Sequence, residues 1–152
     1  MSHVVEVDQS GRIEFTKEDT VLAFANGMKY SMLIPATVKR DCVLTLRRLG
    51  LSGPNFYLQL FAVGLFLLLN EHVDNIHTVL LDYEYLGKEA EIKRYLSNLL
   101  RRAGHQIEAE LIQFLHIGKH SPAHFLAYGT LLGKQMPNRV ITTEEILRQF
   151  RQ

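Results

Sequence analysis

The spacing of apolar and polar positions changes several times along the chain, and each change predicts an element. Val4 to Val7 reads as a short strand, Gln9-Ser10-Gly11-Arg12 as a tight turn and Ile13-Glu14-Phe15 as the return. Thr20 to Ala25 and Lys29 to Val38 read as two further strands around Asn26-Gly27, a pair that accepts positive φ at low cost. The first quarter is thus an antiparallel meander, counted as three strands in the element order. Pro35 falls inside the last of them and predicts an edge, a bulge or an early end to pairing. Gly50, Gly53 and Pro54 mark a loop, and from Asn55 to Leu69 the chain is apolar on every side, as in a core helix that must be covered on most faces by a sheet, another helix or a partner subunit.

Ile76 to Leu81 is short and apolar enough for a central strand buried on both faces. From Lys88 to Arg102 the residues Ile92, Leu96, Leu99 and Leu100 recur at helical spacing among charges, and Gly104 closes that helix. Leu111 to Ile117 is a second interior strand. Pro122 to Leu132 is a helix with Ala123, Leu126, Ala127 and Leu131 on its inner side, and a last short helix begins at Thr142 or Thr143 with Glu144 and Glu145 in its first turn. Strand, helix, strand, helix implies parallel pairing through crossovers. The expected fold is α/β in a single domain spanning residues 1–152, with a mixed five-stranded sheet, three antiparallel strands followed by parallel ones, and helices on both faces.

Composition narrows the setting. Lys and Arg number 17 against 16 Asp and Glu, so the net charge of +1 exerts no global pull on nucleic acid or membrane, and an anionic partner must be drawn by a local patch. The single cysteine, Cys42, excludes an internal disulfide and a thiolate metal cluster, which points to a reducing, cytoplasmic setting. Met1-Ser2-His3-Val4-Val5-Glu6 lacks the pattern of an export signal, and the apolar helix falls short of the roughly 20 residues that cross a bilayer, so no membrane partner is expected.

The candidate chemistry gathers at three places. Asp82 and Glu84 follow the apolar strand two residues apart, a spacing that sets both carboxylates on one face of a strand, able to hold a divalent cation or simply to meet solvent. Asp8 opens the Gln9-Ser10-Gly11 turn, where an Asp also serves as acceptor for backbone N–H groups. Lys119, His120 and His124 form the densest polar group. Pro122 belongs in a helix's first turn, which leaves His120 in the preceding loop, and Ser121 is placed to cap the helix with His124 beside Tyr128. Arg47-Arg48 and Arg101-Arg102 are basic doublets suited to phosphate or to plain solvation. No glycine fingerprint for phosphates and no G-x-S-x-G turn is present, which argues against a small phosphorylated ligand or acyl chemistry.

The element order, together with Val5-Glu6-Val7-Asp8-Gln9-Ser10-Gly11, Leu80-Leu81-Asp82 and the Ile117 to Tyr128 loop and helix, resembles the ribonuclease H-like superfamily of nucleases and transposases. The resemblance covers most of the chain up to about Gly133. It implies that Asp8 on the first strand and Asp82 on the fourth stand side by side as metal ligands, with His124 as a third ligand from the last helix. The long apolar helix lacks the acid the superfamily places there, so Glu84 stands in for it. The expected activity is metal-dependent hydrolysis of an RNA or DNA phosphodiester with Mg²⁺ or Mn²⁺, and Lys119 or His120 contacting phosphate or moving a proton. The alternative is a non-catalytic domain of the same fold that associates, as a homo-oligomer or with a partner protein, through the apolar helix.

Overall fold

The computed structural model describes residues 3–151, so Met1 and Ser2, part of the segment read above for an export signal, lie outside it. Strands β1 (His3–Ser10), β2 (Thr20–Ala25) and β3 (Tyr30–Ile34) are followed by helices α1 (Ala36–Arg48) and α2 (Phe56–Leu69). Strand β4 (Ile76–Asp82), helix α3 (Glu89–Arg102), strand β5 (Ile112–Leu115), helix α4 (Pro122–Leu131), strand β6 (Arg139–Val140) and helix α5 (Thr143–Arg148) complete the chain. The sheet has six strands in the order β5-β4-β1-β2-β3-β6, one more than the pattern predicts, because β6 is only two residues long and pairs in parallel with β3. β1, β2 and β3 are antiparallel neighbours, whereas β4 and β5 run parallel to β1.

Alternation along the strands sorts the core into two unequal layers. Val5 and Val7 of β1, Leu22 and Phe24 of β2 and Val79 and Leu81 of β4 face a large core completed by α1, α2, α3 and α5. Val21 and Ala23 face the other way, onto Ala127 of α4. Within α2, Leu58 and the run from Leu60 to Leu69 are all buried inside the single chain, so the cover expected from a sheet and a second helix is present and no apolar face of α2 is left over for a partner. Gly64 lets α2 approach β2 closely, since a Cβ there would lie 2.8 Å from Leu22 Cδ1. Among the described residues no helix is long and apolar enough to cross a membrane.

Four local expectations are corrected. Ile13 to Phe15 is a turn, not a return strand, because the Ile13 N–H donates to the Gln9 side chain (3.0 Å) instead of pairing with β1. The strand expected over Lys29 to Val38 stops at Ile34, and Pro35 becomes the cap of α1. The Asp19 carboxylate accepts from the Ala36 N–H at 2.8 Å, a cap supplied from a distant loop. Strand β5 is shorter than expected and lies at the sheet edge, and β4 is not sealed on both faces: His77 is exposed and Leu80 half-buried.

Helix α1 also anchors the loop between β1 and β2. Lys39 is fully buried, and its Nζ donates to the carbonyls of Phe15 (2.8 Å) and Arg12 (3.3 Å) and to the Thr20 hydroxyl (2.9 Å). Burial pushes the ammonium down to about 8, since no carboxylate touches it directly. The folded protein therefore releases this proton before the unfolded chain does, and stability attributable to Lys39 rises with pH between about 8 and the ordinary lysine value. Lys39→Ala is expected to destabilise the fold by about 2–4 kcal/mol, through three orphaned acceptors, in urea denaturation at pH 7. In the variant the rise in stability above pH 8 should disappear.

Candidate metal centre

Parallel pairing of β1 with β4 brings the C-terminal ends of both strands together. The register runs Val5 with Val79, Glu6 with Leu80 and Val7 with Leu81, so Asp8 emerges beside Asp82 on the face away from the large core. Asp8, Asp82 and Glu84 each offer a carboxylate oxygen, and these oxygens lie within 4.8 Å of one another. The strand-face geometry expected for Glu84 is corrected. β4 ends at Asp82, and a tight turn in which the Glu84 N–H donates to the Asp82 carbonyl (2.9 Å) swings Glu84 back onto Asp8.

Each acid is held by a group remote in sequence. The Gln9 N–H donates to Asp8 Oδ1 (2.9 Å) and to Glu84 Oε1 (3.3 Å), joining β1 to the turn after β4. Asp82 Oδ1 accepts from the Ile117 N–H at 2.9 Å. His124 reaches down from α4, and its Nδ1 lies 2.9 Å from Asp8 Oδ2. The bland expectations for His124 hold at the same time: its N–H donates to the Ser121 cap (3.0 Å), and its ring stacks on Tyr128. The turn expected at Gln9-Ser10-Gly11-Arg12 is corrected: β1 runs on to Ser10 and pairs with β2, so Asp8 is a strand residue that accepts from the Gln9 N–H, not the opening of a turn.

No family model, curated protein or solved structure matches this chain. The reading of the centre therefore rests on its own geometry.

Lys119 and His120 are not in the cluster. Both are exposed on the loop between β5 and α4, whose flanking residues Ile117 and His124 do touch the cluster. The basic doublets sit in the last turns of α1 and α3, where they complement the helix dipoles, and Arg102 donates to the Gln149 carbonyl. Glu89 lies in the first turn of α3 together with Glu91, where both favour the helix dipole. Glu71, just past α2, is exposed and lies 3.8 Å from Arg139, so it belongs to a surface pair.

Three supporting residues were not foreseen. Arg12 donates to the Glu84 carbonyl (3.0 Å), pairs with Glu14 (2.8 Å) and lies 4.7 Å above the Tyr85 ring. The Tyr85 hydroxyl donates to Glu14 (2.7 Å) and accepts from the Gln9 amide (3.3 Å). Together Gln9, Arg12 and Tyr85 fix the turn that carries Glu84. Gln9 and Arg12 are separated by more than 70 residues of chain from the Glu84-Tyr85 turn they hold, so no local motif announces them.

Confining three carboxylates in this volume has an electrostatic cost. Burial first, then the neighbouring Asp8 and Asp82 charges, push Glu84 up to about 8. The folded protein thus keeps a proton that the unfolded chain loses near the ordinary glutamate value. Its stability in chelator should fall as the pH rises from about 4.5 to 8. Glu84→Gln keeps the acceptor for Gln9 and removes the charge. The variant is expected to be about 1–2 kcal/mol more stable than wild type at pH 8.5 in EDTA, and equal to it at pH 4, by urea denaturation.

Proposed function

We propose that this protein is a metal-dependent nuclease-type domain of ribonuclease H-like fold that hydrolyses a nucleic acid phosphodiester. The observation that carries the reading is the convergence of Asp8, Asp82 and Glu84, with His124 against Asp8, from three separate parts of the chain. Parallel β1 and β4, with an acid at the same end of each, support the ribonuclease H-like resemblance, which expects the fourth strand to set its acid beside that of the first.

The donor set suits a hard divalent cation. Three carboxyl groups share a half-buried space in which Glu84 holds its proton up to about 8, a proton a cation would displace, and the N–H groups of Gln9 and Ile117 occupy only part of their acceptor capacity. Oxygen ligands suit Mg²⁺, and an imidazole alongside them suits Mn²⁺, so His124 permits either. When bound, such ions polarise the phosphoryl oxygens and make a bound water a better nucleophile. Asp8, Asp82 and Glu84 would hold the cation, and His124 would complete the shell or orient Asp8 from Nδ1. Gln9, Arg12 and Tyr85 keep Glu84 aimed inward. Lys119 and His120, exposed on the loop that joins Ile117 to His124, would neutralise a phosphate or accept a proton. The interaction-module alternative drew on an uncovered α2, and nothing in the surroundings of that helix favours it.

Two measurements test the reading together. Mn²⁺ should raise the thermal midpoint of wild type, and this shift should vanish in Asp82→Asn. Mn²⁺-dependent cleavage of mixed RNA and DNA substrates should fall by at least ~100-fold in the same variant, and cleavage that survives the substitution would overturn the assignment.

A further inference from the structure

We propose that the strand taken by this centre is unpaired, with its bases stacked on the exposed aromatic face of α4. The inference rests on the phosphodiester reading above and names the substrate class for the same site.

Helix α4 is an unusual surface helix. Ala123, Ala127 and Thr130 face the sheet and are buried, as a surface helix requires. On the outer side, where charged residues normally stand, Phe125, Tyr128 and Leu132 are 58%, 48% and 49% exposed. Their spacing of three and then four residues places them on one face. The face is joined to the acids by a single ring. His124 lies against Asp8, stacks nearly parallel on Tyr128 (5.8 Å between centroids, 12° between planes) and meets Phe125 at a steep angle (6.1 Å, 63°). A ligand lying on these rings would thus reach the carboxylate centre without crossing another element.

The charge around α4 favours a polyanion as that ligand. From Leu111 to Thr143 there is no Asp or Glu at all, whereas Lys119 and His120 precede the helix and Lys134 follows it, all three exposed. The first turn of α4 has no acid to repel a phosphate drawn by Lys119 and His120. Flat aromatic rings between cationic ends match alternating bases and phosphates. In a duplex the base faces are hidden by stacking on one another, so only an unpaired segment can offer them to Phe125 and Tyr128.

The test compares fluorescein-labelled single strands and matching duplexes, in DNA and in RNA, by anisotropy with Ca²⁺ replacing the active metal, followed by cleavage in Mn²⁺. Single strands should bind more tightly than duplexes. Phe125→Ala and Tyr128→Ala should each weaken single-strand binding roughly tenfold, with Tyr128→Phe close to wild type and duplex binding unchanged. Both positions are exposed, so unchanged circular dichroism and melting confirm that the fold is intact. Equal affinity for duplex and single strand, or wild-type affinity in both alanine variants, overturns the proposal. A dimer in sedimentation that Phe125→Ala dissociates, with oligonucleotide affinity unchanged, also overturns it and marks the face as a contact between copies. The two readings fail separately. Asp82-dependent cleavage with unaffected aromatic variants leaves the nuclease without this strand path. Selective single-strand binding through Phe125 and Tyr128 with no cleavage leaves the strand path without the nuclease.

Discussion

Mutual repulsion among three carboxylates is the constraint around which this molecule is arranged. Asp8, Asp82 and Glu84 have oxygens within 4.8 Å of one another, a separation at which like charges in a partly desolvated space oppose folding. The chain offsets that repulsion with directed donors instead of neutralising side chains. The backbone N–H groups of Gln9 and Ile117 point at the acids, His124 abuts Asp8, and the Arg12 guanidinium bonds the Glu84 carbonyl while its charge is taken up by Glu14. No lysine or arginine side chain among the described residues forms an ion pair with any of the three. Part of the repulsion is relieved by a proton, which Glu84 keeps up to about 8.

Much of the surrounding architecture serves to hold that arrangement. The large core made by α1, α2, α3 and α5 lies on one face of the sheet and gives β1 and β4 a rigid backing. The acids lie on the other face, where only α4 covers the sheet. Lys39 crosses from the thick layer to tie down the loop carrying Arg12 and Glu14, which in turn steady Tyr85 and the turn bearing Glu84. A rigid half and an accessible half are thereby combined in one sheet, as positioning chemistry on a scaffold requires.

The amino-acid sequence made some of this legible and hid the rest for identifiable reasons. The apolar run of α2, the charged and apolar rhythm of α3 and the Ser121-Pro122 start of α4 follow short-range rules, and those elements emerge where expected. Helix α1 was obscured because one of its three buried positions, alongside Cys42 and Leu46, is Lys39, so a charge interrupts the helical period. Ile13 to Phe15 looked like a strand because its residue types suit one, but the loop spends its backbone groups on Gln9 and Lys39 instead of β1. Strand β6 is too short to carry any pattern. In the candidate centre, acids at apolar strand ends are conspicuous because they are costly there, whereas Gln9, Arg12 and Tyr85 are ordinary residue types whose roles exist only once β1 and β4 are side by side. The loop position of Lys119 and His120 follows from Pro122, which begins α4.

The parallel pairing of β1 with β4 has a consequence for how the protein comes into being. Asp8 and His124 are 116 residues apart along the chain, and Gln9 meets Glu84 across 75. Contacts of such separation form late, after the entropy of closing long loops has been met. During synthesis the first acid leaves the ribosome well before its partners exist, so the cluster cannot assemble on the nascent chain until β4 has emerged. On the proposed reading, cation capture would be a property of the finished fold, since the acids meet only once β1 and β4 are paired.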